Sequence, residues 1–254
     1  MAIHEVFPKP LVKQVIFQIR FPNLFYIENK IGDIQLKIMK KFPVSNLLVQ
    51  KQFLFADVNQ ESSLEEIKAN ISPNVNKKIW QFRSEDGVVL NILPDSLDMT
   101  STSHKTYNNE GSEHRFRDVI QFVVDAFLRE TGIPIINRIG LRYIDEGPVF
   151  ENTNDSFSSC YNSIFNLGRF DLRTVNAFNS IASIQVDGNT YVNYREELQK
   201  TEAGSKLTLD FDGVSNNIDV ERYLEVLDRL HEIISNEFEK TIQPRIYDYM
   251  KEKS

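Results

Sequence analysis

The sequence is poor in the residues that build metal centres and disulfide frameworks. It contains 1 cysteine, Cys160, among 254 residues, and a disulfide or a thiolate zinc cluster needs more than one thiol. No two histidines have the H-x-x-x-H or H-E-x-x-H spacing that places two ring nitrogens on one helix face. We therefore expect no metal and no cofactor, and we interpret Cys160 as a buried apolar residue and not as a nucleophile. The 4 histidines are His4, His104, His114 and His231.

Other signatures are missing as well. The chain has 10 glycines and contains no Walker loop, dinucleotide fingerprint or G-x-S-x-G elbow, so no catalytic residue is assigned. No stretch approaches the roughly 20 apolar residues of a membrane span, and "MAIHEVFPKPLVKQ" lacks the regions of a signal peptide. With 29 basic and 36 acidic residues the net charge is −7, the wrong sign for wrapping nucleic acid by charge alone. The expectation is a cytoplasmic protein without membrane association.

Apolar periodicity predicts alternating strands and helices along the chain. The first half predicts, in order, a strand over 12–21, a helix over 31–42, a strand over 46–57, a short helical turn before residue 76, a hairpin around Asp86-Gly87, a strand over 96–107 and a helix from an N-cap at Ser112 to a stop at Gly132. The second half predicts a strand over 138–146, a helix over 154–168, strands over 169–178, 180–194 and 204–212 with a turn at Asp187-Gly188, and a long helix from 219 to about 250.

The two halves share this order and some of their residues. Four apolar or basic residues of the first strand match four residues that lie 122 positions later: Phe17, Ile19, Arg20 and Phe21 match Ile139, Leu141, Arg142 and Tyr143. Weak identity at other positions leaves chance similarity as the alternative. The predicted fold is α+β, a tandem duplication of a β-α-β4-α unit with halves 1–134 and 135–254. Half of the TATA-binding protein and the helix-grip domains use this order, with a curved antiparallel sheet on a long helix.

The segment "RIGLRYIDE" gives the candidate binding surface. Side chains alternate along a strand, so Arg138, Gly140 and Arg142 share one face and an apolar set that includes Tyr143 shares the other. Such an arginine face is either a binding surface or an ordinary wet face inherited through the repeat. Tyrosines beside arginines offer stacking and cation–π contacts. The candidate binding residues are Arg20, Arg138, Arg142, Tyr143, Tyr191 and Arg195.

The segments "PLVKQVIFQIRF", "FRSEDGVVLNILPDSLDMTSTSHKTY", "INRIGLRYIDE" and "LHEIISNEFEKTI" resemble a sporadically distributed bacterial and archaeal family of about 250-residue proteins of uncharacterised function. The resemblance covers nearly the whole chain and implies no activity and no site residues. Patchy distribution is typical of mobile accessory genes, such as defence or toxin–antitoxin components.

Three functions remain open from the sequence. The leading hypothesis is a non-enzymatic binding protein, as an accessory component of such a system, whose partner is another protein or a small ligand. The alternative is a nucleic-acid- or nucleotide-binding module. The third is a metal-dependent hydrolase that uses four strand-end acids, Asp145, Glu146, Asp210 and Asp212. An open sheet edge would favour a dimer.

Overall fold

The structure, a computed structural model, describes residues 7–50, 77–108, 115–202 and 204–252. The strands in these ranges are β1 Val12–Arg20, β2 Val44–Gln50, β3 Lys77–Arg83, β4 Val89–Ile92, β5 Ser96–Ser101, β6 Ile135–Pro148, β7 Ala177–Gln185, β8 Thr190–Thr201 and β9 Gly204–Asp219. The helices are α1 Ile27–Ile38, α2 Phe116–Thr131, α3 Asn154–Ser158, α4 Tyr223–Thr241 and α5 Pro244–Lys251, with a 3₁₀ turn Val220–Arg222 before α4. The predicted α+β class is confirmed. Within these ranges, no helix combines the length and the apolar character that crossing a membrane requires.

All the described strands join one antiparallel sheet. The strand order is β2-β3-β4-β5-β1-β6-β9-β8-β7, so β1 and β6 pair at the middle and connect the two halves of the chain. In that pair Phe17 lies opposite Leu141 and Gln18 lies opposite Gly140. Along the described part of the chain, β2 and β7 are the edges of the sheet.

One face of the sheet is apolar and is covered by helices. In β1, Val15, Phe17 and Ile19 are fully buried and alternate with more exposed residues, as expected for a strand with one face in the core. Helix α4 packs on β9 and β6, and α1 packs on α2. Gly213 of β9 makes the approach of α4 close, because a Cβ atom there would lie 3.0 Å from a side-chain carbon of Ile234.

Helix α2 ends as the sequence predicts. Gly132 has φ 62° and its N–H donates to the carbonyl oxygen of Leu128 at 2.8 Å. This left-handed conformation costs glycine little and satisfies a carbonyl of the last turn. The helix starts at Phe116; the predicted cap Ser112 lies outside the described residues, as do the predicted helical turn before residue 76 and residues 51–57 of the predicted second strand.

The second half differs from the prediction in three places. Helix α3 spans only Asn154–Ser158, because Tyr161 then forms a β-bridge with Ile242 and cannot continue the helix. Residues 169–176 form turns, so β7 starts at Ala177 and three strands, not four, lie between α3 and α4 in the described ranges. The long final helix is divided at Pro244, which has no N–H to donate to the preceding turn.

Candidate binding site

Five of the six candidate residues share the sheet face that points away from the helices. Residues directly opposite each other in antiparallel strands lie on the same face. Arg20 lies opposite Arg138, and Arg195 lies opposite Asp210, which itself lies opposite Ile144 on the arginine face of β6. We call this surface the open face, defined by Arg20, Arg138, Arg142, Tyr191 and Arg195.

The arginines in the middle of the open face already have acceptors. Nε and Nη2 of Arg142 donate to the two carboxylate oxygens of Asp210 at 2.7 and 2.6 Å. Arg138 donates to the side-chain oxygen of Gln18 at 2.8 Å and lies 3.4 Å from Asp212. Bidentate arginine–carboxylate pairs are strong and fix both side chains. The middle of the open face therefore carries paired charges and is not a bare cationic surface.

Tyr143 lies on the opposite face, in the core, and does not join the other five. Only 7% of it is exposed. Its hydroxyl oxygen accepts the backbone N–H of Tyr107 at 2.8 Å and lies 3.1 Å from Nδ1 of His231. Burial raises the pKa of the Tyr143 hydroxyl well above its ordinary value. Of the two candidate tyrosines, only Tyr191 is therefore placed to stack on a ligand at the open face.

The four strand-end acids do not converge. Asp145 lies opposite Leu209 on the helix side of the sheet, whereas Asp210 lies opposite Ile144 on the open face. Glu146 makes an ion pair with Lys206 at 2.8 Å. No group of three or more potential metal ligands is present among the residues that the structure describes. The geometry gives the hydrolase hypothesis no four-carboxylate centre.

A cavity lies on the helix side of the sheet, next to Asp145. Its volume is about 590 Å³ when the open space at its mouth is counted. The walls come from the segment before β1 and the first residue of β1, the segment before α2, strands β6 and β9, and helices α4 and α5. They are mostly apolar: the lining residues are Phe7, Pro10, Leu11, Val12, Lys105, Thr106, Tyr143, Asp145, Phe211, His231, Ile234, Ser235, Phe238 and Met250.

Asp145 is the unusual residue of this cavity. Only 1% of it is exposed, and its Oδ1 atom has no hydrogen-bond partner among the described residues. Burial, assisted by the charge of Asp210, raises the pKa of the Asp145 carboxyl to about 8. The register of β1 shifts between Val12 and Gln14, directly beside Asp145. Such irregularities redirect side chains and occur frequently near functional sites.

A second buried carboxylate, that of Glu196, has the hydrogen-bond donors expected for an acid with a structural role. Glu196 is also 1% exposed. Its carboxylate accepts hydrogen bonds from the hydroxyls of Ser163 and Tyr194 and from the backbone N–H of Ile164. Buried polar groups are normally satisfied in this way. Asp145 is equally buried, but none of the residues that the structure describes donates to its Oδ1 atom.

A hydrogen-bonded network fixes the wall of the cavity on one side. Arg117 of α2 donates twice to Asp228 of α4, at 2.7 and 2.8 Å, and the Tyr107 hydroxyl donates to the same carboxylate at 2.7 Å. Burial raises the pKa of Asp228, but the hydrogen bonds from Arg117 and Tyr107 outweigh it and hold that pKa below its ordinary value. The network joins α2 to α4 and, through Tyr143 and Tyr107, to β6.

Sequence reasoning missed this cavity, although one signal for it was present. Asp145 has the same parity in its strand as Ile139, Leu141 and Tyr143, the predicted apolar face. An aspartate on the buried parity of a strand is uncommon because an ionised carboxylate is costly to bury. Asp145 lies close to the end of the predicted strand, where acids are commonly exposed to water, so its burial was not predicted.

Comparison with protein families, with curated proteins and with solved structures finds no match for this chain.

Proposed function

We propose that the chain is a non-enzymatic binding protein that takes a small organic ligand into the cavity beside Asp145. The observation that carries the proposal is that Asp145 lines a largely apolar cavity and that its buried Oδ1 atom has no hydrogen-bond partner among the described residues. An unpaired buried polar group lowers the stability of the protein that carries it. A ligand that bonds to Asp145 recovers that free energy, which favours binding.

The composition of the walls also supports binding. Small-molecule sites are typically concave and apolar, with a few polar groups that orient the ligand. Here the apolar part comes from residues such as Leu11, Phe211 and Ile234, and the polar groups are few. The Arg117–Asp228 pair holds one wall in place, which lowers the cost of organising the site when a ligand binds.

Thermal unfolding in the presence of small fragments, each with an apolar body and one polar group, tests the proposal. A ligand that binds only the folded state raises Tm. Ser235 lines the cavity, so Ser235→Leu should fill it and abolish the rise. Ser183→Leu, on an exposed site of β7, is the matched control and should keep it. The proposal fails if no fragment raises Tm, or if the rise persists in Ser235→Leu.

We also infer that the two halves, 1–134 and 135–254, arose by duplication of one sheet-and-helix unit. The strand orders β2-β3-β4-β5-β1 and β7-β8-β9-β6 support this, because each half places its first strand last. Gln18 and Gly140 pair with each other and are separated by the 122 positions of the sequence repeat. A local twofold axis between them would exchange β1 and β6. The second half has one strand fewer, so a β-α-β4-α copy would have lost a strand there.

An alternative function is nucleic-acid or nucleotide binding, or contact with another protein, on the open face. The shared location of Arg20, Arg138, Arg142, Arg195 and Tyr191 favours it, whereas the pairing of two arginines with aspartates weakens it. Titration of labelled oligonucleotides separates the cases, since phosphate contacts lose affinity as salt rises. An Arg20→Ala, Arg195→Ala double variant should then bind less tightly. Salt-independent or absent binding contradicts this alternative.

The role of accessory component in a mobile defence or toxin–antitoxin system is also a proposal. The resemblance to a sporadically distributed family supports it. The neighbouring genes test it: recurrent defence or toxin genes beside this gene would favour the role, and housekeeping neighbours would contradict it.

A further inference from the structure

We infer that the occupant of the cavity is a protonated amine with a short apolar tail, and that the Asp145 carboxylate is its counter-ion. The inference rests on the proposed function, and it adds the chemical class of the ligand and the residue that selects it.

The first argument is that the missing partner of Asp145 is a cation. Buried carboxylates are usually paired with a positive charge or held by several donors. Among the described residues, Asp145 has no ion pair, and its Oδ1 atom has no hydrogen-bond donor. Two basic residues of this region have other acceptors: Arg142, on the same strand, is bound to Asp210, and Lys105, which lines the cavity, donates to the carbonyl oxygen of Thr102 at 2.7 Å.

The second argument is that the surroundings of Asp145 disfavour an anion. The charge of Asp210, on the neighbouring strand, acts on Asp145 in the repulsive sense. A carboxylate ligand would place a further negative charge near Asp210 and would keep Asp145 protonated, whereas an ammonium group would favour the ionised Asp145 carboxylate and would be attracted by both acids. Hydrogen bonds between charged partners are about twice as strong as neutral ones, so an alcohol of the same length gains less than an amine.

The third argument concerns the rest of the wall. Four lining residues are aromatic: Phe7, Tyr143, Phe211 and Phe238. Aromatic faces attract ammonium groups and also cover apolar methylene groups. An alkylamine has both parts, so its chain matches the apolar wall while its nitrogen reaches Asp145.

Proton linkage gives the binding a characteristic pH dependence. The free Asp145 carboxyl has a pKa of about 8, so near neutral pH it must lose a proton to pair with an amine. Affinity for the amine should therefore rise with pH from 5 to 8, and binding should release a proton. The titratable or charged groups that line this site with Asp145 are Tyr143 of β6, His231 of α4 and Lys105 before α2. Beyond the effect of burial, the charge of Asp210, on the open face of β9, raises the pKa of Asp145, and the charge of Asp145 raises the pKa of Tyr194 of β8.

Isothermal titration calorimetry with hexylamine, hexanol and hexanoate tests the inference. At pH 7.5 we expect hexylamine to bind at least about tenfold more tightly than either analogue. Asp145→Asn should lose at least about tenfold in hexylamine affinity. Asp98→Asn is the matched control. Asp98 is a half-buried strand aspartate that accepts a hydrogen bond from the Asn91 side chain, and both residues lie on the face of the sheet away from Asp145. Asp98→Asn should bind hexylamine like the parent protein.

The outcomes separate this inference from the proposed function. Preference for hexanoate, equal affinity for hexanol, or unchanged binding by Asp145→Asn overturns the amine assignment but leaves a ligand-binding cavity. If fragments raise Tm and hexylamine does not bind, the amine assignment again fails alone. If neither the three probes nor any fragment binds, both proposals fail. The pH dependence of hexylamine affinity in the parent protein needs no variant: a flat profile from pH 5 to 8 also overturns the assignment.

Discussion

The perturbation with the clearest physical consequence is Asp145→Asn. It replaces a buried ionisable carboxyl by an amide of nearly the same shape, so the packing of the cavity wall changes little. The folded protein holds the Asp145 proton up to a pH of about 8, whereas the unfolded chain releases it near the ordinary value of 3.8. Between these two values the folded state binds the extra proton. Stability from this group is fully present below pH 3.8 and is lost as pH rises towards 8.

The size of the effect follows from the pKa difference. Each pH unit in this interval lowers the free energy of unfolding by about 1.4 kcal/mol. From pH 5 to pH 7 the parent protein should thus lose up to about 3 kcal/mol through Asp145 alone. The side-chain amide of the variant does not titrate in this range, so that loss should disappear. Other carboxyls contribute equally to both proteins and cancel in the difference.

Urea unfolding at pH 5, 6 and 7, followed by circular dichroism, measures this difference. The free energy of unfolding of Asp145→Asn minus that of the parent should increase steadily with pH. A difference that stays constant over this range would refute the reasoning, because it would mean that Asp145 keeps an ordinary pKa through a partner or through solvent. An opposite slope would contradict the predicted direction of the pKa shift.

Two further predictions use matched pairs of variants and urea unfolding. Gly213→Ala places a methyl group against a side chain of α4 and should cost about 1–3 kcal/mol, whereas Gly140→Ala on the adjacent strand meets its nearest atom only at 3.7 Å and should be tolerated; equal costs would contradict the close packing of α4. Arg117→Ala removes both bonds to Asp228 and should cost about 1–3 kcal/mol. Arg115 is more exposed than Arg117, and its local pair with Asp118 three residues later should contribute under about 1 kcal/mol, so an equal loss in Arg115→Ala would contradict the bridging role of Arg117.

Local patterns predicted the parts of the fold that depend on local physics. The alternation in the strand after α2 predicted that Ile139 and Leu141 are buried, and both are fully buried. The stop at Gly132 followed from glycine's freedom to adopt positive φ, and φ is 62° there. In each case the sequence pattern that predicts the feature spans only a few residues.

The sequence did not predict features that depend on contacts between residues far apart in the chain. The helix predicted over 154–168 stops at Ser158, because the chain instead pairs Tyr161 with Ile242 and joins the N–H of Asn162 to the carbonyl of Thr241 at 2.7 Å. Periodicity carries no information about such a partner about 80 positions away.

Local patterns likewise predicted some parts of the candidate site and missed others. Strand parity correctly grouped Arg138 with Arg142, and the sheet register adds Arg20 to the same face. Tyr143 has the other parity, and its burial follows from the alternation alone. The strand parity of Asp145 was a local signal of a buried acid, but the cavity beside it needs β6, β9 and α4 together with the segments before β1 and α2, so local patterns could not have shown its walls.

The central claim is that Asp145 holds a cationic group inside the cavity. A crystal structure of the protein grown with hexylamine tests it most directly. The account predicts density for the amine in the cavity, with its nitrogen within hydrogen-bond distance of an Asp145 carboxylate oxygen and its chain against the aromatic wall. An empty cavity at saturating hexylamine, or an amine nitrogen that points away from Asp145, would contradict it.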